Sequence, residues 1–317
     1  MKKLNFALIG AGKHGTRWAG VLRKKVNLNY VVDPNFDMLV SLDAVLEDRD
    51  IDAVLVCTPH NKLASITERA LRAGKHVLCE KPGAITAKQI KKNIKLAKKK
   101  GLVYKIGYNY RFHDGFIKAR KLFNKGEIGD LLFIRARHGF GGRKGYEKEW
   151  RINKEIGGGG HLHDQGVHLI DMAKSFMGEI DKVQGFRADT YWGSGTEDNA
   201  FVHLKSGKVI ASIHSSLTQW KRMHTFEIYG TKGYLIVEGL GMRYGDGEKL
   251  IIGKRTKDPD VVKEKAIICD SVADHSLEFE LKEFVLDVKQ NKPTYSNPID
   301  AYKTLEIVEE VYRGDKF

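Results

Sequence analysis

Residues 3–9, KLNFALI, make a short apolar run that ends directly in GAGKHG. Gly10, Gly12 and Gly15 fill the G-x-G-x-x-G spacing, and each glycine answers a separate steric demand. They allow a tight turn, close approach of the backbone to a pyrophosphate, and close packing of a helix on a strand. The next segment, TRWAGVLRKK, reads as a helix whose positive N-terminal end points at phosphate. With Ala11, Lys13 and His14 of the same loop, these residues are expected to hold a dinucleotide. NYVVDP, at 29–34, reads as a second strand, and its Asp33 lies 23 positions after Gly10. An acid there can accept hydrogen bonds from ribose hydroxyls and repels a 2′-phosphate, which favours NAD. Lys13 and Arg17 keep NADP open, and a plain turn residue before Pro34 is the competing reading of Asp33.

Two further apolar runs, 52–60 (DAVLVCTPH) and 75–84 (KHVLCEKPGA), have the continuous hydrophobicity of strands buried on both faces. A helical pattern separates them, completing a βαβ unit, and GLVYKIGYNYRF at 101–112 supplies one more strand. In such sheets ligands bind beyond the carboxyl ends of the strands, where Thr58, Pro59, His60, Glu80 and Lys81 fall. Lys81, between a glutamate and a proline, is placed to hydrogen-bond a substrate oxygen and stabilise alkoxide character. The alternative is a loop lysine paired with Glu80. Only 18 residues separate Asp33 from Asp52, so the helix on that side is expected to be abbreviated.

A length of 317 residues calls for two domains, which the patterning divides into 1–110 and 111–317. Seven strand-like runs between 131 and 253 are punctuated by hairpin signals such as Lys205-Ser206-Gly207. Helical patterns lie near 113–125, 161–176, 276–290 and 299–312. The second half is therefore expected to be an α+β domain with a large, mostly antiparallel open sheet, beside a doubly wound parallel sheet in the first. One face of that open sheet is free to meet another subunit.

The segment IGGGGHLHDQGVHLIDMAKSF, at 156–176, carries the chemistry. Gly157 to Gly160 let the backbone pass close to something, the cofactor or Lys81 being the expected neighbours. Asp164 and His168 stand at i and i+4 on the helix that follows, hence on one face, with His161 and Asp171 near the same stripe. A histidine oriented by a carboxylate makes a good general acid/base. Two other readings compete: chelation of a metal by His161, Asp164 and His168, for which nothing else closes the shell, and a satisfied core histidine at His168. No metal is expected.

The charge balance, 54 − 40 = +14, decides less than it suggests. The densest basic stretch, 90–100, reads as an amphipathic helix with a solvated lysine face, and no nucleic-acid motif accompanies it. No apolar run approaches the ~18 residues of a membrane span. The basic start, Met1-Lys2-Lys3, reads as the entry to a strand rather than an export leader. Three scattered cysteines and the lack of any Asn-x-Ser/Thr acceptor fit a reducing, cytoplasmic setting.

GAGKHG, Asp33, CTPH, CEKP, GYNYRF and GGGGHLHDQGVHLID occur in the order seen in the Gfo/Idh/MocA family, which this chain resembles over nearly its whole length. The resemblance implies an N-terminal Rossmann domain, a C-terminal α/β domain and NAD(P)-dependent redox chemistry on sugars, cyclitols or nucleotide sugars. It implies assembly as a homodimer or homotetramer through the open sheet. Lys81 matches the family's EKP lysine, Asp164 and His168 its D-x-x-x-H pair, and Thr58, Pro59, His60 and Glu80 the cofactor shelf. Asn109 falls at the cofactor, and Tyr110, Arg111, Trp150 and Arg151 fall toward substrate, a polyol or sugar that can carry phosphate or a nucleotide. Two alternatives stand beside this: a dinucleotide-binding regulator without turnover, and a reductase of a non-sugar substrate.

Overall fold

The computed structural model describes residues 3–34, 40–241, 244, 247–258, 261–269, 274–292 and 295–315. The chain folds as two compact units. One comprises Met1–Tyr108, Glu155–Gly158 and Leu277–Glu306; the other comprises Asn109–Lys154, Gly159–Ser276 and Ile307–Phe317.

The first unit is built on a parallel sheet of β1 (Asn5–Ile9), β2 (Asn27–Val32), β3 (Ala53–Val56), β4 (His76–Glu80) and β5 (Tyr104–Gly107), in the order β2-β1-β3-β4-β5. Crossovers are α1 (Lys13–Lys25), α2 (Leu42–Glu47), α3 (His60–Arg72) and α4 (Ala87–Lys100). β3 is AVLV and wholly buried, because a parallel sheet is covered on both faces. α2 has six residues, the abbreviated helix that the short spacing predicts; residues 35–39 of that stretch lie outside the described residues. A Thr86/Gln89 capping box starts α4, and Gly101 at φ +64° ends it. Ile90, Asn93 and Ala97 face inward while the lysines lie outward. The strand order reverses between β1 and β3, and the loops after these two strands carry GAGKHG and CTPH.

In the second unit, α5 (Asp114–Asn124) precedes β6 (Leu131–Gly139), and α7 (Val167–Met177) follows α6 (Lys154–Gly157), a single turn that lies almost wholly in the first unit. Seven strands follow: β7 (Lys182–Ala188), β8 (Asn199–Ser206), β9 (Val209–Ser216), β10 (Met223–Gly230), β11 (Gly233–Glu238), β12 (Lys249–Arg255) and β13 (Val262–Ile268). The eight-stranded sheet runs β13-β12-β11-β10-β6-β9-β8-β7. Its neighbours are antiparallel except β6 and β9, which pair in parallel where the meander is broken by insertion of the first strand. β13 was not legible in the sequence: VKEKAII carries three charges in a row and is almost wholly exposed, as suits an edge strand.

The chain passes from the first unit to the second at Tyr108/Asn109, and two later segments, Glu155–Gly158 and Leu277–Glu306, return to the first. α8 (Ser276–Gln290), though late in the chain, belongs to the first unit. Its Leu277, Leu281 and Phe284 join the core of Phe6, Leu8, Trp18 and Leu55. Beside them the buried Lys105 ammonium reaches Glu283 Oε1 and Asp287 Oδ2, each at 2.7 Å, so the charge is paired rather than stranded. α9 (Pro298–Gly314) closes the described chain.

Candidate functional site

In the first unit the glycine loop is shaped by contacts that no side chain could share. Gly10 adopts φ +97°, and a Cβ there would run into the Cys57 carbonyl; one on Gly15 would run into the Gly10 carbonyl. Gly12 is different: a Cβ on it would meet nothing within 4 Å. Gly12 is also the N-cap of α1 and offers no capping side chain, so the first-turn N–H groups of that helix look into the same open space. That cradle fits a pyrophosphate. A dinucleotide bound there would set its phosphates against Gly12, Lys13 and the α1 N-terminus.

Asp33 is buried, and its Oδ2 accepts the Ala11 N–H at 2.6 Å, so it braces the glycine loop as well as marking the end of β2. Glu80, at the end of β4, accepts from Trp18 Nε1 at 2.6 Å and lies 2.8 Å from His14 Nε2. Burial alone would raise this carboxyl. The charge of His14, hydrogen bonds from His14 and Trp18, and the charge of Lys81 carry it below the ordinary glutamate value. Glu80 and His14 thus support the shelf through each other, and the Lys81 backbone N–H donates to Glu80 Oε2 at 3.2 Å. The half-buried Lys81 side chain leaves this pinned strand end. His60 is buried and donates from Nδ1 to the Gly157 carbonyl at 2.8 Å, while Thr58 is half-buried and Pro59 exposed.

In the second unit the remaining glycines pack against protein. A Cβ on Gly159 would strike the Tyr312 hydroxyl, and one on Gly160 would strike the Glu197 backbone. This replaces the expectation that the run passes close to cofactor or Lys81 at these two positions. Buried Glu197 organises the turn: its Oε1 accepts from Gly160 N (3.0 Å), Leu162 N (3.1 Å) and the Tyr312 hydroxyl (2.8 Å). Sequence reading missed it, since a lone glutamate in a loop carries no signature of the two N–H groups it will meet.

The helix after the glycines is not regular. Residues Leu162–Gly166 form a π-turn in which the Val167 N–H donates to the Leu162 carbonyl, five residues back. Asp164 and His168 therefore straddle a junction between two windings, and the one-face argument from a uniform 3.6-residue period does not describe them. π-turns of this kind are frequent at functional sites. The buried Asp164 carboxylate accepts from Gln165 Nε2 at 3.0 Å and has Arg151 Nε at 4.0 Å. His168 is buried and lies face to face with the Tyr110 ring, centroids 3.9 Å apart and planes 9° from parallel.

Tyr110 is thus a partner of the imidazole. Its neighbour Arg111 is buried in a bidentate pair with Asp171, at 2.6 and 2.5 Å, which ties this short turn to α7 one turn beyond His168. The guanidinium expected to face substrate is committed there. Asn109 Nδ2 donates to Ser276 Oγ at 3.0 Å, and the Arg151 guanidinium lies over the Trp150 ring at 4.5 Å.

Behind Tyr110, His138 and His224 occupy opposed positions on β6 and β10, with their Nδ1 atoms 3.3 Å apart, so one donates and the other accepts. Burial, then the neighbouring histidines, push His138 well below the ordinary value; burial, then His113, push His224 down to about 3. Both are neutral at working pH. Among the described residues, no group of three or more His, Cys, Asp or Glu is placed to hold a metal ion.

Residues 4–108 match the family described as "Oxidoreductase family, NAD-binding Rossmann fold", and residues 116–236 match the "GFO/IDH/MocA C-terminal domain". The chain is similar to the 2,7-anhydro-N-acetylneuraminate hydratase of Escherichia coli strain K12, at 28% identity over 280 residues, 81% of this chain and 74% of that protein. It is similar to levoglucosan dehydrogenase of Pseudarthrobacter phenanthrenivorans, at 34% identity over 142 residues, 44% of this chain. That match spans only 36% of the relative's own length. A solved structure of levoglucosan dehydrogenase in complex with NADH and levoglucosan shares the fold, with a TM-score of 0.86 at 20% identity, covering 98% of this chain and 96% of that one.

Proposed function

The chain belongs to the Gfo/Idh/MocA oxidoreductase family, and from that premise we propose that it transfers a hydride between NAD(P) and a hydroxyl-bearing carbon of a sugar, cyclitol or nucleotide sugar. In the oxidative direction His168 takes the hydroxyl proton as general base. Lys81 donates a hydrogen bond to the same oxygen and stabilises its alkoxide character. Asp164 balances the imidazolium that forms, and the Tyr110 ring holds the imidazole plane in place and tolerates its positive charge through its π-face. NAD is the favoured cofactor because an acid at position 33, after the second strand, would repel a 2′-phosphate.

The observation that carries the reading is His168 itself: a buried imidazole stacked on Tyr110 at the start of a helix wound irregularly there. A core histidine does not need the π-turn. The test is NADH absorbance during incubation with sugars, inositols and nucleotide sugars. Lys81→Ala and His168→Ala should each lower turnover by ~10²–10⁴ with cofactor affinity unchanged. Near-full activity in Lys81→Ala would overturn the mechanism, and no response from the panel would favour a dinucleotide-binding regulator.

A second reading comes from the relative that matches 81% of the chain and is named a hydratase. Net hydration changes no redox state, so product must also be followed by NMR with catalytic NAD, where turnover without net NADH would identify it. Self-association is part of the proposal too, supported by the exposed aromatic face of the sheet. The three cysteines, Cys57, Cys79 and Cys269, are not bridged to one another, which supports a reducing compartment.

A further inference from the structure

Three loops of the second unit, 140–153, 189–198 and 217–222, follow β6, β7 and β9 at the same end of the sheet. Trp220 and Tyr191 stand on them 65% and 63% exposed, packed edge to face at 4.9 Å. Inward from this pair Tyr191 meets Trp192 at 5.3 Å, Trp192 meets Tyr146 at 5.6 Å, Tyr146 meets Phe140 at 5.8 Å and Phe140 meets His161 at 5.5 Å. Aromatic rings therefore run without a break from solvent to the buried histidines. Gly141 and Gly142 make room for them: a Cβ on Gly141 would lie 2.9 Å from the Trp220 ring, and one on Gly142 would enter the Trp192 ring.

The loops are held from within. Asp198 accepts the N–H groups of Thr190 (3.0 Å), Tyr191 (2.7 Å) and Trp192 (3.0 Å). Asp189 accepts those of Gly193 and Gly195, each at 2.8 Å, and Trp192 Nε1 donates to the Leu217 carbonyl at 3.1 Å. Two large rings kept in water on a braced frame form a pre-organised contact surface, the kind that binds without an ordering cost.

The charges on the same rim are unequal. Asp189 and Asp198 are engaged by backbone N–H groups, Glu197 is buried on Gly160 and Leu162, and Glu149 pairs with Arg143 and Arg151. Glu147 is exposed. Lys221 and Arg222 are exposed and pair with no acid among the described residues; the Arg222 guanidinium lies over the Phe140 ring at 5.5 Å and the Tyr244 ring at 5.9 Å. Phe140 packs on His161, and Tyr244 packs on His138 at 4.5 Å, so this cation sits one ring outside two of the buried histidines.

We propose that this rim binds a sugar ring bearing an anionic group, a carboxylate or a phosphate. Trp220 and Tyr191 take the C–H face of the ring, and Arg222, assisted by Lys221, takes the charge. An amphipathic aromatic surface matches a ring that is apolar on its faces and polar at its edges, and a guanidinium matches either oxyanion in a two-pronged geometry. The inference rests on the sugar-directed reading above and narrows its substrate class.

Calorimetric titration of the full chain, with and without NADH, tests it. The neutral probes are D-glucose and D-galactose, the carboxylate arm is D-glucuronate and D-galacturonate, and the phosphate arm is glucose 1-phosphate and glucose 6-phosphate. Acetate and inorganic phosphate control for charge without a ring. At least one anionic sugar should bind tenfold or more tightly than its neutral counterpart, with that preference falling as salt rises, and the arm that responds identifies the anion. Arg222→Met should bring the two to parity, and Trp220→Ala should weaken neutral and anionic sugars alike, with NADH affinity and circular dichroism unchanged in both variants. Equal binding within twofold in both arms, no binding by any sugar, a preference that survives Arg222→Met, or acetate and phosphate binding as tightly as the sugars would each overturn the proposal. Because the readout is heat of sugar binding, a chain that shows the preference yet forms no NADH retires the redox reading and not the site.

Discussion

At Gly12 a methyl group would point into open space, whereas at Gly15 it would collide with the Gly10 carbonyl. The two glycines therefore separate folding from binding. Gly12→Ala, at φ −62°, should leave thermal stability within about 1 kcal/mol of wild type, because its backbone conformation suits alanine. It should weaken NAD binding tenfold or more, since the methyl fills the cradle. Gly15→Ala should lose both, and a fluorescence titration beside a melting curve distinguishes them; unchanged NAD affinity in Gly12→Ala would contradict the assigned cradle. His138 and His224 give a second residue-scale expectation. Both are depressed in the folded chain, against about 6.5 when unfolded. Above pH ~6.5 neither state is protonated there. As pH falls below it, the unfolded chain takes up protons that the folded chain refuses, so stability present at neutral pH is lost on acidification, by up to roughly 1.4 kcal/mol per pH unit for each histidine. Urea unfolding at pH 7.5 and 5.5 should show the loss, and His224→Leu should reduce its slope. An unaltered slope would place the acid sensitivity elsewhere.

The elements of the proposed site depend on supports outside themselves. The π-turn at Leu162–Gly166 is anchored by Glu197, from the loop before β8, through the N–H groups of Gly160 and Leu162. Removing that acceptor strands two buried donors, at ~1–3 kcal/mol each. Glu197→Ala should accordingly lower unfolding free energy by about 2–6 kcal/mol and depress turnover, with Glu197→Gln intermediate because its amide oxygen still accepts. Equal stability of Glu197→Ala and wild type in urea would show that the turn holds itself. Most elements were legible: the apolar runs of β1, β3 and β4 and the hairpin punctuation of β8/β9 and β10/β11 follow directly from side-chain period and turn chemistry. The π-turn was not, because GGGGHLHDQGVHL suits either winding and the choice between four- and five-residue closure is made by what packs beside it.

Across the molecule, the outward face of the eight-stranded sheet carries Phe133 stacked on Tyr229 at 4.6 Å, Phe201 stacked on His214 at 4.0 Å, and Phe186 opposite Phe201. A row of exposed rings on an open sheet is the pattern of a surface that another protein covers. Light scattering on the full chain should give a mass of two or more copies, and Phe133→Glu with Phe201→Glu should reduce it to one copy without loss of secondary structure. A wild-type mass of a single chain at micromolar concentration would remove this part of the reading. The sequence by itself determined the parallel sheet, the glycine loop and the strand that ends at Glu80, because these rest on local backbone sterics and on the spacing of apolar residues. Only the tertiary structure decided that Arg111 serves Asp171, that Tyr110 faces His168, that Glu197 caps the glycine turn and that α8 returns to the first unit. Those pairings join residues far apart in the chain, and desolvation, which forces every buried charge and N–H to find a partner, acts on neighbours in space that no local pattern encodes.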